Sequence, residues 1–219
     1  VAFGGERLRV RGIVFDLDGT LIDGYQGIAT ALNAARSAFA MPPLPLAEVR
    51  GRVGHGLSHL MADVVGVARA PLGIAIFRAV YDRICEEQTH LLPEVAVTLR
   101  ELRERGLRMS VASNKPASYS IRILERLGVR SYFDAVEGPD TAGTAKPDPA
   151  MIRACVAAMG VAMDETVYVG DMTLDADSGA EAGVAVVLVA GGSSPDDALR
   201  ETGFPLVSSL KELPARLPS

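Results

Sequence analysis

The sequence predicts an α/β fold in which a parallel sheet is covered by helices on both faces and a small all-helical segment is inserted near the start. Three observations carry this expectation. From Val95 onward, short apolar runs alternate with stretches whose apolar residues recur at helical spacing, the pattern of strand–helix–strand crossovers and hence of a parallel sheet. Between Gly24 and Leu92 no strand-like run is evident, so this stretch reads as helical throughout. Finally, the polar clusters of the chain fall just after the expected strands, where open α/β sheets bind their ligands.

Val10 to Phe15 reads as a first buried strand, β-branched and aromatic, ending in the loop FDLDGTL. Ile28, Leu32, Ala35 and Phe39 lie at helical spacing until MPPLP breaks the helix. Leu57, Leu60, Met61, Val64 and Val65 form a second stripe, and a third runs from Leu72 to Glu87. Pro93 marks the exit from this helical segment. Val95, Leu99 and Leu102 then predict a helix stopped by Gly106, and Arg108 to Ala112 a strand. A helix through Ile121, Leu124 and Leu127 stops at Gly128, and a short strand follows near Ala135 to Glu137. Pro149 to Met159 reads as a helix opening on proline, which suits a first turn. Thr166 to Val169 is a strand, Ala176 to Ala182 a helix, Ala185 to Val189 a strand, and Pro195–Glu201 and Leu210–Leu217 closing helices. The expected division is therefore a core of residues 1–23 and 93–219 around a helical unit of residues 24–92.

The 219 residues are 48% hydrophobic and 22% charged, which places the chain among ordinary globular proteins. A net charge of −5 gives no basic footprint, so we expect no nucleic-acid partner. No run approaches a membrane span and the opening VAFGGERLRV has no leader-like apolar core, so no membrane association and a cytoplasmic location are expected. Cys85 and Cys155 show no C-x-x-C spacing and read as buried free thiols. Of 22 cations only three are lysines (Lys115, Lys146 and Lys211), and two of these stand in motif-like positions.

Asp16 and Asp18 are the most informative residues. Positions i and i+2 of a strand point to one side, and two carboxylates that close are costly unless a cation or shared proton compensates them. At a strand's carboxyl end such a pair suits a hard cation with oxygen ligands such as Mg²⁺; a solvated Asp-Gly turn is the alternative reading of this segment. Three more clusters fall at the same sheet edge: Ser113-Asn114-Lys115, Lys146 in AKPDP, and Asp171 in VYVGDMTLD. Asp16, Asp18 and Asp171 offer oxygens to one Mg²⁺. Asp175 either supports the metal or caps a helix. Ser113 and the amides after it suit phosphate oxygens, Lys146 suits a phosphoryl group beside Asp16, and Lys115 either shares that work or covers a loop. So arranged, a carboxylate such as Asp16 can attack phosphorus, while Asp18 exchanges protons with the leaving oxygen and the hydrolytic water.

DLDGTL, ASNKP, KPDP and VGDMTLD, in this order and spanning nearly the whole chain, resemble the haloacid dehalogenase-like hydrolase superfamily. The resemblance implies a Rossmann-like core, Asp16 as nucleophile, Asp18 as acid/base, and Ser113 and Lys146 as phosphate holders. It also implies Mg²⁺ held by Asp16, Asp171 and the backbone carbonyl of Asp18, and makes 24–92 similar to an α-helical cap that selects substrate. Gly19, Thr20 and Asn114 are taken as further substrate-binding candidates.

Within the superfamily, EVRGRVGHGLSHLM and SNKP resemble the phosphoglycolate phosphatase subgroup. Arg52 and His55, with Arg50 and His59 beside flexible glycines, are the cap's candidates for an anionic leaving group, or else solvated surface residues. Segment VAGGSSPDD departs from the pattern of close relatives, and Gly24 stands where they carry a small polar residue. The absence of lysine between Leu21 and Val95 removes a Schiff-base phosphonate cleavage. The expected activity is hydrolysis of a small phosphorylated metabolite, 2-phosphoglycolate first, by a monomer or homodimer. A β-phosphoglucomutase-like phosphosugar mutase, a pyrophosphatase and a nucleotidase share the same core. A phospho-accepting receiver domain is disfavoured, because its aspartate follows a middle strand and it needs no helical insert.

Overall fold

A computed structural model describes residues 9–217; the parts of the expected core at 1–8 and 218–219, with most of the opening segment, lie outside the described residues. β1 (Gly12–Phe15) is buried along its whole length, as its run of Ile, Val and Phe requires. It lies inside a six-stranded sheet with β4 (Arg108–Ala112), β5 (Ala135–Glu137), β6 (Thr166–Gly170), β7 (Ala185–Val189) and β8 (Leu206–Val207), in the order β5-β4-β1-β6-β7-β8. Every pairing in it is parallel. The connecting helices are α5 (Val95–Glu104), α6 (Ala117–Arg126), α7 (Pro139–Ala142), α8 (Ala150–Met159), α9 (Thr173–Ala182), α10 (Asp196–Glu201) and α11 (Leu213–Arg216). Alternation of strand and helix thus yields the α/β, Rossmann-like core the sequence predicts.

The register explains why the polar clusters meet. Phe15 stands opposite Val111 on one side and Val169 on the other. The residues that follow (Asp16, Ser113 and Asp171) therefore leave the sheet at one edge. Asp16 is fixed there by its own N–H, which donates to the Val169 carbonyl at 2.8 Å.

Residues 24–92 carry α1 (Tyr25–Ala38), α2 (Leu46–Arg50), α3 (Leu57–Val65) and α4 (Ala70–Ile84). The expected stripe appears in α1, whose Ile28, Leu32 and Ala35 are buried and which packs along α4. The expectation that this region holds no strand needs correction. β2 (Ile22–Asp23) pairs antiparallel with β3 (His90–Leu91), so the two connections to the helical segment run side by side. Two-residue strands are too short to show an alternation. The same reason hides β8, and the five-residue α2 and four-residue α7 are too short for a helical stripe. The closing helix expected from Leu210 is a 3₁₀ turn at Leu210–Glu212 followed by α11. Cys85 and Cys155 are both buried and unpaired, as expected. Among the described residues, no helix is long and apolar enough to cross a membrane.

Candidate active site

At the carboxyl edge of the sheet, Asp16, Asp171 and Asp175 each present a carboxylate oxygen, and these oxygens lie within 4.8 Å of one another. All three residues are buried. Asp171 is held on both oxygens, by the Thr20 hydroxyl at 2.9 Å and the Ser193 N–H at 2.6 Å. Gly19 makes this approach possible, because it adopts φ +86° and a Cβ there would stand 2.4 Å from Asp171 Oδ2. Asp175 accepts from the N–H groups of Asp171 and Met172 at 3.1 and 2.9 Å, closing the first turn of α9. Its other oxygen meets Lys146, so Asp175 serves the acidic cluster and caps a helix at once.

Lys146 Nζ lies 2.6 Å from Asp16 Oδ1, 2.7 Å from Asp175 Oδ1 and 3.0 Å from the Tyr168 hydroxyl. Its three N–H donors are therefore fully used. Tyr168 is in turn within hydrogen-bond distance of the Ala112 carbonyl at 3.1 Å, which fixes the ammonium's seat to β4. One ammonium faces three buried carboxylates, so negative charge remains uncompensated. Burial, opposed by Lys146, pushes the Asp16 carboxyl up to about 6. Burial and then the charge of Asp16 raise Asp171 as well. An oxygen-only donor set with excess negative charge fits a hard divalent cation such as Mg²⁺.

Asp18 does not join this trio. Its Oδ2 pairs with Lys115 Nζ at 2.8 Å, and Lys115 also donates to the Tyr81 hydroxyl at 2.7 Å. The other oxygen of Asp18 is buried without a hydrogen-bond partner and faces Gly24, where a Cβ would stand 2.6 Å away. Both side chains of this pair are nearly inaccessible, 6% for Lys115 and 9% for Asp18. Burial alone would favour a neutral amine, but the charge of Asp18 outweighs it and holds the Lys115 ammonium above its ordinary value.

A cleft of about 80 Å³ opens over these groups. At ~10–15 Å³ per water centre this is room for on the order of five to eight waters, the scale of a phosphoryl group with a small substituent. Its floor carries Asp16, Asp18, Ser113, Asn114, Lys115 and Lys146, and its roof is Ile28, Val53, Leu57, Leu60, Phe77 and Tyr81 from α1 to α4 and their loops. Besides the bond from Lys115 to the Tyr81 hydroxyl, two hydrogen bonds tie the helical segment to the sheet edge. Asn114 Nδ2 donates to the Gly54 carbonyl at 2.8 Å, and Tyr25 and Ser193 share one at 2.8 Å.

The structure brings Asp16, Asp18, Ser113, Asn114 and Lys146 to one cleft, with Asp171 and Asp175 in contact behind them. Gly19 and Thr20 shape the seat of Asp171 rather than the cleft wall. Asn114 spends its amide on Gly54 and on the backbone of Lys146. Arg52 and His55, expected at the substrate, are placed elsewhere. Arg52 is exposed and paired with Asp63 and Glu48, and His55 is exposed beside His59. Arg50 lies over the Tyr25 ring and opens on a different surface cleft. Lys115, open from the sequence between sharing the phosphate work and covering a loop, lines the cleft, and Tyr81, Tyr168 and Ser193 are site neighbours with no role expected from the sequence. Scarcity of lysine and the departure at VAGGSSPDD were the available signals for Lys115 and Ser193; a buried tyrosine in a strand or helix gives none.

Residues 13–189 match the model of the haloacid dehalogenase-like hydrolases, and the chain belongs to this family. Within it, the chain is similar to phosphoglycolate phosphatases. It is 35% identical over 187 residues to that of Caulobacter vibrioides, covering 82% of this chain and 79% of the relative. To that of Escherichia coli K12 it is 32% identical over 198 residues, covering 80% and 79%. The fold is that of a haloacid dehalogenase-like family hydrolase from Streptococcus pneumoniae, with a TM-score of 0.87 at 21% identity over 95% of this chain and 99% of that one.

Proposed function

We propose that this phosphoric monoester hydrolase works through an aspartyl-phosphate on Asp16, with Mg²⁺ as its metal and 2-phosphoglycolate as its substrate. The observation that carries the reading is the meeting of Lys146 with Asp16 at 2.6 Å beside the buried Asp16–Asp171–Asp175 cluster. A lone Asp-Gly turn would leave these charges in solvent. Asp16, Asp171 and Asp175 would hold the metal, which when bound neutralises charge on the carboxylates and the phosphoryl oxygens. Lys146 and the amides following Ser113 orient the phosphoryl group.

A carboxylate oxygen of Asp16 forms a bond to phosphorus while the ester oxygen departs with the bonding pair. Asp18, the carboxylate that pairs with Lys115 in the free enzyme, enters this step protonated and gives that oxygen its proton. The alcohol leaves, Asp18 then takes a proton from water, and the water oxygen displaces Asp16 from phosphorus. Free phosphate results, and both aspartates return to their starting states. Residues 24–92 act in this reading as a cap over a core of 1–23 and 93–219, excluding bulk water from the step. The names of the phosphoglycolate phosphatase relatives support the substrate. Two buried free thiols suit a reducing cytoplasm as its compartment.

The test is phosphate release from a panel of phosphate monoesters with Mg²⁺, run beside a glucose-phosphate interconversion assay. Release from 2-phosphoglycolate without interconversion is expected; interconversion without release would overturn the hydrolase mechanism. Asp16→Asn, which keeps the shape and removes the nucleophile, is expected to leave less than about 1% of turnover with an unchanged circular dichroism spectrum.

A further inference from the structure

The cap's own cations do not face the cleft. Arg52 is held by Asp63 and Glu48, His55 and His59 are exposed, and Arg50 lies over the Tyr25 ring and lines a different surface cleft. Two cations line the cleft, Lys146 and Lys115. All three donors of Lys146 are taken by Asp16, Asp175 and Tyr168. Lys115 has Asp18 and Tyr81 on two of its three donors, so one N–H remains for a ligand. We propose that Lys115 is the specificity-determining residue, binding a carboxylate two bonds from the ester oxygen and so selecting phosphate esters of α-hydroxy acids. The proposal rests on the phosphatase reading above and deepens it.

The position of Lys115 supports this. Asp18 must come within hydrogen-bond reach of the leaving oxygen, ~2.6–3.2 Å, and Lys115 sits 2.8 Å from the same carboxylate. A charged group close to the ester oxygen therefore falls beside Lys115, whereas one at the far end of a longer chain would meet the apolar roof of Leu57, Leu60 and Phe77. The ammonium is also restrained. Its Nζ lies 5.1 Å from the centre of the Tyr81 ring, and that ring stacks on Phe77 at 5.1 Å and 22°. A cation held in place by packing loses little freedom on binding an anion, and its low-dielectric surroundings strengthen the attraction. The cap thus selects through Tyr81, by seating a cation that belongs to the core.

The test compares 2-phosphoglycolate with its neutral isostere, the phosphate ester of glycolamide, on wild type, Lys115→Met and Lys115→Arg. The ratio of kcat/KM for the two esters is independent of the fraction of enzyme that is folded. Wild type is expected to prefer the acid by roughly tenfold or more, through KM. Lys115→Met is expected to lose at least about tenfold of that preference, and Lys115→Arg to recover most of it. A ratio that stays constant while both activities fall would overturn the proposal and reduce Lys115 to a positioner of Asp18. If wild type hydrolyses other esters but shows no preference for the acid, the specificity claim fails and the phosphatase reading stands. If it hydrolyses no ester, both fail.

Discussion

Lys146 shows how single side chains set the chemistry of this edge. Its ammonium is shared between the proposed nucleophile, the helix-capping Asp175 and Tyr168, so a change in any partner is felt at Asp16. Asp175→Asn would keep the volume but remove a negative charge from the cluster. Its Mg²⁺ affinity is expected to fall ~10–100-fold, read from the Mg²⁺ dependence of turnover. The cluster also predicts a dependence on pH. In metal-free protein the Asp16 carboxyl titrates near 6 instead of 3.8. The folded state therefore holds its proton more tightly than the unfolded chain. This contribution is fully present below pH 3.8 and is lost as pH rises through about 6. A metal ion held by this cluster would bind the ionised carboxylates, so Mg²⁺ is expected to raise Tm more at pH 7.5 than at pH 5. Differential scanning calorimetry with and without Mg²⁺ checks this, and Asp16→Asn should flatten the difference.

Elements decide what those residues can reach, and here the sequence was read unevenly. Asp16 with Asp18, Ser113 with Asn114, and Asp171 with Asp175 are each close in the chain and follow a strand's end, so their arrival at one edge follows from sheet order and parallel register. The seating of Arg52 does not. It depends on the rotation of α2, which sets Glu48 one turn away, and on the approach of Asp63 from α3. Charged residues near glycines suggested a binding loop, but Arg52 is engaged by ion pairs to Glu48 and Asp63. Tyr81 was invisible for a related reason, since it reads as one more apolar position in α4 until helix and core are packed together. The loop between α2 and α3 docks through Gly54, which adopts φ +125° and whose Cα leaves no room for a Cβ against Met172 Sδ, 2.1 Å away. Gly54→Ala is expected to lift this loop, weaken the Asn114 bond to its carbonyl and raise KM severalfold, by roughly 1 kcal/mol of binding. Steady-state kinetics with Tm as a control measure it; an unchanged KM would mean the loop takes no part in closure.

At the scale of the whole molecule, a net charge of −5 repels a phosphorylated substrate weakly. Attraction is left to two lysines buried in the cleft, where screening by salt is slight. The sheet edge supplies every charged group that lines the cleft, and the helical segment supplies apolar walls and one hydroxyl.

β1 lies between β4 and β6, yet it is the first of the three to leave the ribosome. Its partners are not made until residues 108–112 and 166–170, and the contact from Lys146 to Asp16 spans 130 positions. Closing loops of that length must precede any reward from sheet pairing, so pairing of β1 is expected to be slow. The apolar GIVF run is meanwhile unpaired on the growing chain, the state in which aggregation competes. Assembly of this edge therefore waits until late in synthesis, and an incomplete chain carries Asp16 without Lys146 and Asp171 beside it.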